Sequence, residues 1–235
     1  MKKTEIRKYN IQNVKFELEI NKHVFPPSPH GSFFAENMKI SPNELVIDIG
    51  SGTGFLAILT AKLGGKAYAT DDDKDAINLT SKNAKRNRVK INLRKGSYFA
   101  NFKKKFDVIV VNLPQEIVHK NYRKAIGKQL TRSFDGGPNG NKQVLKFLDI
   151  AKKHMHERSR TYIIVYTVTN YTQTLKKIAK NYNARLVAFD IGPTKEFVID
   201  NIGWYKKLNQ IGKIRIFKVG KKWYANEYLF ELTLK

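Results

Sequence analysis

The 235-residue chain contains no cysteine, which excludes disulfides, thiolate metal sites and cysteine nucleophiles together. It is also short of acid: 20 Asp and Glu stand against 44 Lys and Arg, for a formal net charge of +24. A field of that sign attracts polyanions, so RNA or a ribonucleoprotein is the expected contact. No run approaches the ~20 apolar residues that cross a bilayer. The charged start, Met1-Lys2-Lys3-Thr4-Glu5-Ile6-Arg7, lacks the apolar core of a secretory signal. The chain therefore reads as cytoplasmic, with no membrane partner. It has no repeat period, no low-complexity tract and no long linker. Histidines number five. Two of them, His154 and His156, stand two apart on an expected helix and face different ways, so no metal site is expected.

What is present is an alternation of strands and helices. Residues 1–40 read as an N-terminal extension and 41–235 as the main domain. In the extension, Val14–Ile20 alternates as a short strand. The three prolines of residues 24–31 argue against any regular element there, and a short helix follows near Ser32–Met38. Strands are expected at 44–49, 66–70, 91–94, 106–112, 161–168 and 185–190. Helices are expected at 55–63, 74–86, 142–154 and 172–181. The run Asp107-Val108-Ile109-Val110-Val111 is apolar after its first residue, as a strand covered on both faces must be. Segments 213–219 and 227–234 flank Gly220-Lys221-Lys222 as a hairpin. The pattern predicts a doubly wound α/β fold with a mainly parallel sheet and an antiparallel C-terminal edge hairpin.

The most informative stretch is Leu45-Val46-Ile47-Asp48-Ile49-Gly50-Ser51-Gly52-Thr53-Gly54, which ends the first strand of this alternation and opens a helix. Glycines there let the backbone turn and approach a ligand closely. Asp71, 21 residues after Gly50, closes the next strand, where a carboxylate accepts hydrogen bonds from ribose hydroxyls. The spacing is Gly-x-Gly-x-Gly, not the Gly-x-Gly-x-x-Gly of dinucleotide binders. Asp48 stands two residues before the first glycine, which suits a cofactor carrying sulfonium and ammonium charge better than a pyrophosphate. The segment resembles the first motif of class I, Rossmann-like S-adenosylmethionine methyltransferases. That resemblance implies S-adenosylmethionine as cofactor, with Asp48 acting through the loop, Gly50, Gly52, Thr53 and Gly54 lining the cofactor, and Asp71 holding the ribose. Asp72 either joins Asp71 or, with Asp73, caps the next helix. Ser97 and Tyr98, after the third strand of the alternation, match the adenine-contacting position.

The strand at 106–112 ends Asn112-Leu113-Pro114-Gln115. Ligands of open α/β sheets bind beyond the carboxyl ends of strands, and an Asn carbonyl can accept from a planar amide or amine nitrogen. Positioning is the chief service such a site supplies to an already activated methyl group. The loop resembles the Asn-Pro-Pro-Tyr loop of amino methyltransferases, including the HemK/PrmC glutamine methyltransferases, with Leu113 and Gln115 as departures. Asn112, Pro114 and Gln115 are the catalytic candidates, and Asn112 also borders the cofactor. A HemK-like trait recurs in Asp135-Gly136-Gly137-Pro138-Asn139-Gly140 before a Phe-Leu-bearing helix, read as a flexible turn that caps the helix or borders the substrate.

The expected function is N-methylation of a macromolecule, with protein glutamine the first acceptor and an exocyclic amine of an RNA base the alternative. A non-catalytic nucleic-acid-binding protein on the same fold is a further reading. Phe25 and His30 are candidates to fold over the cofactor. The basic stretch from Lys82 to Lys105, with Tyr98 and Phe102 interleaved, is a candidate for phosphate contact with local stacking.

Overall fold

A computed structural model describes residues 4–100 and 102–235, so the first three residues of the charged start lie outside the described residues. The chain forms two compact units. One takes the chain up to Asn112 with residues 152–163 and 234, and the other takes 113–151, 164–233 and 235.

The first unit opens on a hairpin, β1 (Glu5–Ile11) antiparallel to β2 (Val14–Ile20), with Ile11 opposite Val14. Gln12 and Asn13 turn it, at φ of 50° and 63°, the paired left-handed geometry whose twist matches two antiparallel strands. The hairpin packs on the second and third helices of this unit. Helix α1 (Pro29–Asn37) begins inside the proline segment that the sequence suggests is irregular. Proline is tolerated there because the first helical turn has no use for its missing N–H, and the Ser28 hydroxyl accepts the Gly31 N–H at 3.4 Å.

There follow β3 (Leu45–Ile49), α2 (Phe55–Lys62), β4 (Lys66–Asp71), α3 (Lys74–Arg86), β5 (Ile91–Lys95), β6 (Val108–Val111) and β7 (Arg160–Tyr166). The sheet order is β5-β4-β3-β6-β7, and each of these pairings is parallel. The chain winds outward from β3 to β5, then returns to lay β6 on the other side of β3. That reversal opens a crevice at the carboxyl ends of β3 and β6. Val46, Ile47, Val108, Ile109 and Val110 are fully buried, as expected for strands covered on both faces.

The second unit holds α4 (Lys120–Thr131), α5 (Lys142–Ile150), the end of β7, α6 (Tyr171–Asn181), β8 (Tyr182–Pro193), α7 (Glu196–Ile199), α8 (Ile202–Gln210), β9 (Ile216–Val219) and β10 (Lys222–Leu234). Here β10 lies between β7 and β8, and β9 pairs with it antiparallel. The terminal hairpin is thus antiparallel as expected, with β8 outermost. The helix expected over 142–154 ends at Ile150 and tightens into a 3₁₀ turn, Ala151–His154. His154 and His156 consequently do not share a helix: His154 stacks on Phe99 at 3.8 Å and His156 pairs with Asp107 at 2.9 Å. The architecture is a Rossmann-like α/β fold with a mainly parallel mixed sheet.

Candidate active site

The glycine loop is held from inside. The N–H groups of Gly50 and Ser51 both donate to the Thr70 carbonyl at 2.9 Å, and Gly54 N–H donates to the Ser51 carbonyl at 2.7 Å. Gly52 N–H donates to Asp71 Oδ2 at 2.9 Å. Gly50, Gly52 and Gly54 all have left-handed φ, at 80°, 54° and 84°, a region that side-chain-bearing residues enter only with strain. A Cβ on Gly54 would meet Thr80 Cγ2 at 2.9 Å, whereas one on Gly52 would meet nothing within 4 Å. The loop therefore packs α3 at one glycine and faces open space at another.

These bonds bear on the ligand. Four of the five loop N–H groups point into the protein, so the loop offers no phosphate cradle of the kind a helix-terminus anion site requires. Acid surrounds it instead. Asp48 is buried and accepts the Ala57 N–H at 3.1 Å. Asp71 accepts from Gly52 and, through Oδ1, from the Asp73 N–H at 2.9 Å. Each Asp71 oxygen keeps a second lone pair, and burial raises its carboxyl above the ordinary range. Asp73 caps α3 by accepting the Asp75 N–H at 2.8 Å, while Asp72 stays exposed. A hydroxyl-rich cation such as S-adenosylmethionine fits this donor set, and a pyrophosphate does not.

The turn after β5 joins the same edge. Gly96 N–H donates to the Asp71 carbonyl at 2.8 Å, and the Thr70 hydroxyl donates to the Tyr98 carbonyl. Tyr98 has φ of 51°, and burial and the nearby Asp72 raise its phenol above the usual value. Ser97 is exposed and Tyr98 half-buried beside the acids. Asn112 follows β6, in which Val111 is the register partner of Ile49, so Asn112 and Gly50 leave adjacent strands at one level. Its side chain is partly exposed and bonds none of the described residues.

In the second unit, Leu113 and Pro114 are partly exposed, and Gln115 is buried. Its amide donates to the Ile164 carbonyl at 3.0 Å and accepts the Tyr166 N–H at 2.9 Å. Both polar groups of Gln115 are thus taken up by β7, as those of a neighbouring strand would be, and the residue braces the loop. Asp135 accepts the Gly137 N–H and pairs with Arg123, each at 2.9 Å, and Lys142 N–H donates to the Gly136 carbonyl at 3.1 Å. The segment expected to be a flexible turn is a braced one.

Two participants, Asn83 and Glu116, have no motif to announce them. Asn83 accepts the Glu19 N–H at 2.7 Å and donates to the carbonyls of Glu19 at 3.1 Å and Thr53 at 2.9 Å, which ties the N-terminal hairpin to the glycine loop. Its signal is polarity on the inner face of α3, in line with Ala76, Leu79 and Thr80. Thr53 itself is buried, so its carbonyl rather than its side chain orders the loop. Glu116 is buried and paired with Lys195 from far along the chain, a contact with no local pattern.

A family model described as ribosomal protein L11 methyltransferase (PrmA) matches residues 30–128. A protein of Methanocaldococcus jannaschii named "Putative protein N5-glutamine methyltransferase" is 28% identical over 169 residues, covering 72% of this chain and 84% of the relative. The ribosomal protein L11 methyltransferase of Dictyoglomus thermophilum is 40% identical over 76 residues, 32% of this chain and 25% of that one. Among solved structures, the T. thermophilus 16S rRNA N2 G1207 methyltransferase, in complex with AdoMet and guanosine, shares the fold at a TM-score of 0.63 and 14% identity. That likeness covers 98% of this chain and 50% of the other, so this chain spans about half the length of that enzyme. Fold, acid-flanked glycine loop and these likenesses together define a class: the chain is an S-adenosylmethionine-dependent methyltransferase.

One consequence concerns pH. Loss of solvation, and then the nearby Asp71 carboxylate, push Asp48 up from 3.8 to about 7, against the pull of the Ala57 N–H. Between those values the folded protein keeps a proton that the unfolded chain has released, so this contribution to stability is full below 3.8 and is lost as pH rises toward about 7. The melting temperature of the ligand-free protein is expected to fall across that window, and Asp48→Asn to flatten the fall. An unchanged pH slope in the variant would remove Asp48 as its source.

Proposed function

We propose that this enzyme methylates a protein on a side-chain amide nitrogen, with glutamine as the acceptor. The observation that carries this is the Asn112 loop, in which an Asn leaves β6 level with the glycine loop and the residue three places on is locked to β7. Gln115 takes the place of the aromatic in this loop, so the loop itself offers no ring on which a nucleobase would stack. The relative from M. jannaschii, whose name includes protein N5-glutamine methyltransferase, supports the same acceptor.

The cofactor supplies an electrophilic methyl group on sulfur. The chain supplies position. The Asn112 carbonyl accepts one N–H of the acceptor amide and turns its nitrogen toward the methyl group. Pro114 stiffens the loop, and Gln115 holds it to the sheet. The acceptor nitrogen, held by Asn112, would release its proton to solvent as it takes the methyl group. Asp48, the glycines and Asp71 would hold the cofactor, Tyr98 and Ser97 would contact its adenine, and Asp72 would lie at the rim.

The alternative, an exocyclic amine of an RNA base, draws its support from the net charge of +24. Incubation with methyl-labelled cofactor and cell extract, followed by separation of RNA from protein, decides between them. Label is expected in protein and is expected to leave as volatile methylamine on acid hydrolysis, as an N-methyl amide requires. Label confined to RNA would overturn the protein reading.

A further inference from the structure

The basic charge is concentrated. From Ala76 to Phe106 the sequence has no Asp or Glu and ten basic residues: Lys82, Lys85, Arg86, Arg88, Lys90, Arg94, Lys95, Lys103, Lys104 and Lys105. Lys82 is held by Glu19 at 2.6 Å. Among the exposed others, Arg88, Lys90, Arg94 and Lys95 lie on or just before β5, and Lys103 and Lys104 in the segment that follows it; β5 ends the strand order of the sheet. Along that edge runs a groove lined by Tyr68, Ile91, Leu93, Arg94, Phe102 and Lys104.

The cations at the groove are set in place. The Arg94 guanidinium lies over the Phe102 ring, 4.0 Å from its centre. The Lys104 ammonium lies 4.6 Å from the centre of the Tyr68 ring and donates to its hydroxyl at 2.9 Å. Cations held over ring faces give up little freedom when a ligand arrives, which favours binding. The sequence suggests that Phe102 stacks on a base. In the structure it is buried beneath Arg94, and Lys104 lies over the half-buried Tyr68 ring, so the groove presents its cations ahead of its rings. Such a surface binds phosphates and leaves bases unread.

We propose that the β5 groove is a docking site for the phosphodiester backbone of single-stranded RNA, bound without sequence preference. The inference stands apart from the choice of acceptor: an enzyme acting on a protein would use the groove to hold RNA beside its substrate in a ribonucleoprotein. An acidic protein surface is the competing occupant. The row of exposed cations along a strand edge favours a polyanion of repeating charge over a folded acidic face.

The test is fluorescence anisotropy with the full chain and a labelled single-stranded RNA of mixed sequence, titrated at several salt concentrations. A variant carrying Lys90→Ala, Lys95→Ala and Lys103→Ala removes three exposed cations next in sequence to groove-lining residues and leaves Arg94 and Lys104 in place. It is expected to bind roughly tenfold or more weakly, with a salt slope shallower by about 2, since each lost contact to a single strand removes about 0.7. Arg94→Glu with Lys104→Glu is expected to do the same or worse. A control with Lys176→Ala, Lys180→Ala and Lys221→Ala is expected to bind as the parent does. Cofactor affinity is measured on every variant, so that loss of fold is not mistaken for loss of RNA binding. Equal weakening by the β5-edge variants and the control would overturn the site in favour of diffuse charge. No binding by the parent chain would also overturn it. Displacement of RNA by polyglutamate at equal charge concentration would assign the groove to acidic protein instead.

Discussion

Asn112→Ala is expected to cut methyl transfer by at least about 100-fold, the cost of a reacting group misplaced by roughly an ångström, while cofactor affinity stays within about threefold by the same reasoning, because the acids and glycines proposed to hold the cofactor lie elsewhere. The variant keeps β6 intact. Val108–Val111 is fully paired between β3 and β7, and Asn112 lies one residue past it. The change should therefore appear in turnover and not in the melting temperature. Asn112→Gln makes the control: it restores the amide at the wrong reach, so it should recover little activity. Isothermal titration with cofactor and a labelled-methyl assay on extract protein read the two quantities separately. Turnover within tenfold of the parent would remove Asn112 from the acceptor side, and matched loss of cofactor binding would place it on the donor side alone.

The donor half of this site was far more legible in the sequence than the acceptor half, for a physical reason. Gly50, Gly52 and Gly54 occupy left-handed φ, and only a glycine takes such angles without strain, so the backbone requirement is written directly in residue type. Asp71 ends a strand whose alternation is plain. Helix α3, Lys74–Arg86, matches its expected limits because an Asp cap precedes it and its apolar face is periodic. Elements held by distant partners gave no such signal. Strand β1 carries three charges in seven residues and is defined by its turn and by β2. Helices α4, α7 and α8 lie in polar or aromatic stretches and are not among the helices the sequence predicts. Gln115 reads as a substitution in a catalytic loop until its amide is seen bonded to Ile164 and Tyr166, residues about fifty positions away in the chain. Sequence pattern reports local backbone demands; it is silent on a buried amide satisfied by a strand not yet placed.

The braced turn before α5 gives the largest expected effect on stability. Gly136 is buried, and a Cβ built on it would fall onto the Gly140 backbone, with the carbonyl carbon, oxygen and Cα all nearer than 3.0 Å. Neither side can yield cheaply. Gly136 donates to the Glu116 carbonyl at 2.9 Å and accepts from Lys142 at 3.1 Å, and Gly140 donates to the Gly137 carbonyl at 3.0 Å. Gly140 also has φ of 72°, and a Cβ there would meet Thr169 Oγ1 and Ile117, which leaves it no room to retreat. Gly136→Ala is therefore expected to cost roughly 3 kcal/mol, the upper range for forcing atoms into a packed site, and to lower the melting temperature by about 10 °C for a chain of this size. Gly52→Ala is the contrast: its Cβ points into open space, so it should cost about 1 kcal/mol of backbone strain and act mainly on cofactor affinity. Because Glu116 both accepts the Gly136 N–H and follows Gln115 directly, displacement of the turn should also disturb the Asn112 loop, and Gly136→Ala should lose turnover well below its melting temperature. Calorimetry on both variants checks the ordering. A Gly136→Ala protein that melts within about 2 °C of the parent, less than about 1 kcal/mol, would show that the turn can open, and the rigid acceptor loop argued from it would fall with it.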